Sequence, residues 1–210
     1  MKYPRIEAQP LRGTEPLTIG TTPTDATIQD YWRWAYSDLI DNASRGVFAE
    51  WLVAQALGLP TSTPRAVWDN FDLTYEGHGI EVKSCAYHQA WAQKKMSKIT
   101  YNVRASQGWD AKTNLVDKTV RRRADVYVLC LLAEQDREKL NPLDTDQWHF
   151  WVVSTKFLNE RKRSQHSIGI AALKKEVGPG VSFCELRSAI DWCLEGPRDG
   201  VSRVSKSTLS

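Results

Sequence analysis

The sequence predicts an α/β domain in which a mixed central β-sheet is flanked by helices. Three observations carry this expectation. Helical patterning runs from about Asn42 to Leu57 and stops at Gly58 before Pro60. Two alternating runs flank the turn-rich Glu76-Gly77-His78-Gly79. The most hydrophobic run in the chain extends from Ala124 to Leu132, with Asp125 as its one charged residue. Helix, hairpin, strand, strand, helix is an order that packs as layers around one sheet, and 210 residues suffice for one decorated domain with a full core.

Taken in order, residues 1–25 hold Pro4, Pro10, Pro16 and Pro23 among Thr and Gly and read as an extended N-terminal arm. The domain proper is expected over residues 26–195. Its first helix covers Ala26 to Ile40, where Tyr31, Trp32, Trp34 and Tyr36 fall in a helix-compatible run and Thr24 or Asp25 can cap. The second helix has Asn42 or Ser44 as cap, the apolar series Val47, Phe48, Trp51, Leu52, Ala54 and Leu57, and Gly58 as its stop. Glu50 lies on it among Val47, Val53 and Ala54; it either pairs with Arg45 or solvent, or turns toward a functional site.

The hairpin spans Trp68 to Ser84. Beyond it, Ile99 to Arg104 alternates like a strand, and Ala105 to Thr119 reads as a polar loop in which Trp109 either packs against the core, the favoured reading, or stacks on a base. Ala124 to Leu132 is β-branched and apolar enough to be a buried central strand. Trp148 to Val153 forms another strand, and Ser154-Thr155-Lys156 opens a short helix through Arg163. Ser167 to Ala171 is a small strand and Leu186 to Leu194 a closing helix. Residues 196–210 are a Ser-, Arg- and Lys-rich flexible tail.

Composition narrows the class. At 41% hydrophobic and 25% charged the chain is an ordinary globular sequence, and its nine tryptophans are expected to stiffen the core. A net charge of +3 favours phosphate partners mildly, and the basic residues cluster at Lys94 to Lys98, at Arg121-Arg122-Arg123 and over Lys156 to Arg163. The four cysteines form no Cys-x-x-Cys pair, which argues against zinc or a disulfide framework and for buried thiols in a reducing cytosol. No signal region or membrane-spanning run is visible, so a cytoplasmic protein with no membrane partner is expected. Walker and dinucleotide fingerprints are absent.

Chemistry concentrates in the hairpin. Side chains alternate along a strand, so Glu81, Lys83 and Cys85 point one way and Ile80, Val82 and Ser84 the other. An acid and a lysine on one partly covered face are costly unless they pair or hold something between them. Asp72 on the first run can bring a second carboxylate, with Asp69 as the competing acid. Two carboxylates and the Val82 carbonyl suit a hard cation such as Mg2+ or Mn2+. Lys83 can then orient water or meet developing negative charge. The plainer alternative is a surface salt bridge between Glu81 and Lys83 and a turn-bonding Asp72.

Asp72 followed by Glu81-Val82-Lys83 resembles the signature of the PD-(D/E)XK nucleases, the restriction-endonuclease-like superfamily. Arg45 to Glu50 resembles the superfamily's glutamate-bearing first helix, and Ser84 to Trp91 continues the signature strand. Phe71 stands where the superfamily's leading proline would be. The resemblance implies a restriction-endonuclease-like core and metal-dependent hydrolysis of DNA. It assigns Asp72, Glu81 and Val82 to metal, Lys83 to catalysis and Glu50 to support. It further implies a restriction or defence role and a homodimer. Candidate DNA contacts are Gln89, Lys94, Lys95, Arg104, Arg121, Arg122 and Arg123. The competing readings are a noncatalytic nucleic-acid-binding or assembly protein on the same fold, and an RNA-processing enzyme.

Overall fold

Paired strands open the chain where the sequence reads as an extended arm: β1 (Pro16–Ile19) and β2 (Thr22–Thr27) form an antiparallel hairpin. The computed structural model describes residues 3, 6–65, 70–110, 113–161 and 166–196. Asp69, Trp68, the Lys162-Arg163 end of the third basic cluster and residues 197–210 of the expected tail therefore lie outside the described residues.

Helix α1 (Ile28–Tyr36) is capped by Thr27, not by Thr24 or Asp25. The Asp30 carboxylate accepts from the Thr27 N–H at 2.8 Å, which closes a capping box one turn later than the sequence pattern implied. Helix α2 (Asn42–Leu57) is capped by Asp41, whose side chain accepts from the backbones of Ala43 and Ser44, so Asn42 and Ser44 are not the cap. Gly58 ends it at φ 69°, a left-handed position that favours glycine.

Strands β3 (Leu73–Tyr75) and β4 (His78–Ala86) form the expected hairpin. Its loop is the two residues Glu76 and Gly77, both at positive φ, as a tight primed turn requires. Next come β5 (Thr100–Asn102) and a hairpin of β6 (Ser106–Asp110) with β7 (Leu115–Arg121). That hairpin replaces the expected loop over 105–119. Asn114 at φ 56° and the bond from its N–H to the Asp110 carbonyl at 2.8 Å supply a turn that polar composition masked. Trp109 on it is 38% exposed and bonds Asn114, so it does not pack into the core.

The core strand β8 (Val126–Leu132) is buried along its whole length, as expected, and is followed by β9 (Trp148–Ser154). The chain ends in α3 (Thr155–Glu160), β10 (Ser167–Gly169), α4 (Ile170–Glu176) and α5 (Leu186–Glu195). The central sheet runs β3-β4-β8-β9, with β4 and β8 parallel and the outer pairs antiparallel: the mixed, helix-flanked sheet that the sequence predicts. On one face Ile80, Val82, Val128, Cys130 and Phe150 pack under α2 and α5. On the other, Tyr127, Leu129, Leu131, Trp151 and Val153 pack with residues of β5, α3, β10 and α4. Burial at roughly 25 cal/mol per Å² of apolar surface on both faces makes this sheet the stable platform of the domain.

Two compositional expectations change. Trp148 and Trp151 are buried, whereas Trp32, Trp34, Trp51, Trp91, Trp109 and Trp192 are substantially exposed. Among the cysteines Cys130 is buried, Cys85 and Cys193 are half-buried and Cys184 is exposed, all four with free thiols.

Candidate active site

The hairpin positions the chemistry by parting. β3 pairs with β4 only as far as the Leu73–Ile80 couple, and beyond it the Asp72 carboxylate takes the place of a strand neighbour. The Asp72 N–H donates to the Ile80 carbonyl at 3.0 Å, and its Oδ2 accepts from the Val82 N–H at 2.7 Å. Asp72 is therefore fixed at the free edge of β4, beside the residue whose carbonyl was the third candidate ligand.

Glu81 and Lys83 stand opposite Tyr127 and Leu129 on β8, so they share the second face of the sheet. Lys83 Nζ donates to Glu81 Oε1; their side chains are 36% and 20% exposed. Burial pushes the Glu81 carboxyl above its ordinary value, the negative charge of Asp72 adds to that, and Lys83 pulls it back. Tyr127 is pushed up to about 12, first by burial and then by the Glu81 carboxylate.

Glu50 reaches the same group from α2. Burial raises its carboxyl, followed by the charge of Asp72, while Arg65 and Lys83 oppose the shift. Its partner is Arg65, whose Nε donates to Glu50 Oε2 at 2.8 Å. Arg45, the partner suggested by sequence proximity, turns away to Ser84 Oγ at 3.2 Å and the Ile40 carbonyl at 2.7 Å. Arg65 was missed because fifteen residues separate it from Glu50, beyond the reach of helical spacing.

Glu50, Asp72, Glu81 and Lys83 thus form one electrostatically coupled set. Among the described residues no group of three or more His, Cys, Asp or Glu forms a ready metal cage. The oxygens that could hold an ion are those of Asp72 and Glu81 with the Val82 carbonyl, and burial first, then the charge of Asp72, raises the Glu81 carboxyl. That pattern fits a divalent ion that keeps several waters. A consequence for stability follows. A carboxyl raised in the folded state contributes stability below its unfolded pKa that is lost as pH rises through the folded pKa. In chelator, Glu81→Gln is expected to melt above the parent protein at pH 7, with the advantage vanishing below the ordinary glutamate value of 4.5. Thermal melts across pH check it, and parallel curves would remove Glu81 from the strained set.

The basic candidates divide. Lys94, Lys95, Arg104 and Arg121 are exposed. Arg122 is buried, its Nε donating to the Val103 carbonyl at 2.8 Å and Nη1 to Asn159, and Arg123 is tied to the Ser106 carbonyl at 2.7 Å and to Asp117. Gln89 is buried, with Nε2 donating to the Ala86 carbonyl and Ser97 Oγ. The expected phosphate contacts at Arg122 and Arg123 are thus engaged in holding loops. Arg122→Met is expected to cost about 1–3 kcal/mol and several degrees of Tm; unchanged melting with weaker DNA binding would return it to the phosphate contacts. Asp125 accepts from the Gly79 N–H at 2.9 Å, and His88 bonds the Gln135 carbonyl at 2.9 Å. No described helix is long and apolar enough to cross a membrane.

A protein-family model for Bacteriophage T4 endonuclease IV matches residues 23–170, which include all four members of the coupled set and three layers of the fold from α2 to β10. No curated protein and no solved structure matches the chain.

Proposed function

The chain belongs to the Bacteriophage T4 endonuclease IV family, and from that premise we propose that it hydrolyses phosphodiester bonds in DNA at a PD-(D/E)XK-type site. The observation that carries this reading is Asp72 seated on the Val82 N–H beside the Glu81–Lys83 pair, at the edge where β3 parts from β4. Asp72, Glu81 and the Val82 carbonyl would hold Mg2+ or Mn2+. Bound there, such an ion would supply Lewis-acid neutralisation of the phosphate and lower the pKa of water.

The protein's own groups do the rest. Lys83, half-exposed next to Glu81, is free to exchange that carboxylate for a phosphate oxygen or an attacking water once the acid is engaged elsewhere. Glu50, pinned by Arg65, supports the site from α2 and can accept a hydrogen bond from ordered water. Tyr127 walls Glu81 from the interior. Exposed Lys94, Lys95, Arg104 and Arg121 offer sequence-independent attraction to the backbone. A paired, two-strand cutter and a role in restriction or defence are supported by the resemblance alone.

The test is direct. Plasmid, linear and single-stranded DNA are incubated with the protein in chelator, in Mg2+ and in Mn2+. Cleavage is expected with either metal and absent in chelator. Binding without cutting of any substrate under either metal would replace this reading with a noncatalytic nucleic-acid-binding protein.

A further inference from the structure

Beyond Val82 the same edge of β4 borders a second feature, a cavity of about 360 Å³ whose lining includes Arg45, Ser84, Gln89, Trp91, Ser97 and Lys98. Ser84 lies two residues past Val82, about 7 Å along the strand. The inner wall is polar and fixed. Arg45, 3% exposed, is held by Ser84 Oγ, the Ile40 carbonyl and Asn42 Oδ1. Gln89, 8% exposed, donates through Nε2 to the Ala86 carbonyl and Ser97 Oγ, both at 3.0 Å, which fixes the orientation of its amide. Its Oε1 is buried and accepts from no group among the described residues. That atom is closed off from the cavity, so the Gln89 amide serves to brace the wall. At the mouth stand the Trp91 indole, 51% exposed, and the exposed Lys98.

We propose that this cavity receives one unstacked nucleobase of the strand being cut, its face on the Trp91 indole and its edge against the polar wall of Arg45 and Ser84. The volume lies at the lower end of the range for small-ligand sites, as one base requires. An aromatic plane beside a polar wall matches what every base offers, a π face and a polar edge. Lys98 then lies beside a flanking phosphate. A base enters such a site only when unpaired or extruded from its duplex. The inference rests on the nuclease reading, since it makes the base a neighbour of the phosphate held at Asp72 and Glu81.

The test uses single-stranded oligonucleotides carrying 2-aminopurine at successive positions, bound to the full chain as its Lys83→Ala variant in Mg2+, and the same oligonucleotides with single abasic sites as cleavage substrates for the parent protein. Fluorescence quenching is expected at one register of the bound strand. Trp91→Ala is expected to remove it and weaken binding about five- to a hundredfold, and Trp91→Phe to restore most of both. An abasic site at the matching position is expected to slow cleavage by a similar factor. Quenching at no position, or quenching that survives Trp91→Ala, overturns the pocket, as does cleavage indifferent to abasic sites everywhere. Trp91-dependent quenching with no cleavage under any metal overturns the nuclease reading and leaves the base pocket standing.

Discussion

Lys83→Ala and Glu81→Gln are each expected to lower DNA cleavage about a hundred- to ten-thousandfold while leaving the fold and most DNA binding in place. The expectation follows from how the two groups are held. Both lie on a strand whose other face is core and whose backbone is paired to β8, so neither substitution disturbs the sheet. Glu81→Gln keeps the shape and removes the charge that a hard cation needs. Lys83→Ala removes the ammonium that balances Glu81 and leaves two repelling acids beside it. Lys83→Arg is expected to rescue poorly, because a planar guanidinium presents its donors in a fixed fork and does not substitute for a compact point charge. Steady-state cleavage with circular dichroism melts separates the cases. Full activity in both variants would place the catalytic metal elsewhere and reduce the pair to a surface salt bridge.

Much of the frame was legible because it depends on local patterns. The β8 run is apolar throughout and carries the β-branched Val126 and Val128 and the aromatic Tyr127, which leaves little but a buried strand. The α2 stop at Gly58 and the Glu76-Gly77 turn rest on backbone conformations that glycine favours. The meeting of Asp72, Glu81 and Lys83 was legible because strand alternation and a short hairpin determine which charges come together. What escaped depended on three-dimensional company. Arg122 reads as a solvated cation until the Val103 carbonyl and Asn159 are seen to use its donors. Arg65 finds Glu50 only after the chain has left α2. The β6–β7 hairpin hides because its exposed strands have no buried face and hence little hydrophobic alternation. A nuclease reading came from the hairpin together with Arg45 to Glu50 and Ser84 to Trp91, and the family match supports it at that level, whereas a burial-based choice among the arginines was out of reach.

Gly79→Ala is expected to cost about 1–3 kcal/mol of stability and to lower cleavage about ten- to a hundredfold, although residue 79 carries no chemistry. A Cβ there would lie 2.5 Å from Phe71 Cδ1 and 2.8 Å from Cγ. Gly79 cannot retreat, since its N–H donates to Asp125 Oδ2 at 2.9 Å and its carbonyl accepts from the Asp125 N–H at 2.8 Å. The ring of Phe71 must therefore move, and Phe71 immediately precedes the carboxylate that sits 2.7 Å from the Val82 nitrogen. Phe71→Ala in the Gly79→Ala background is expected to return cleavage toward the parent rate by removing the clash. Gly77→Ala provides the comparison: at φ 83° it strains the turn by about 1–2 kcal/mol but meets no side chain, so it should lower the melting temperature and spare cleavage. If Gly79→Ala also spares cleavage, Phe71 yields without displacing its neighbour. The position of Asp72 would then be set by its own bonds to Ile80 and Val82, independent of the aromatic ring beside it.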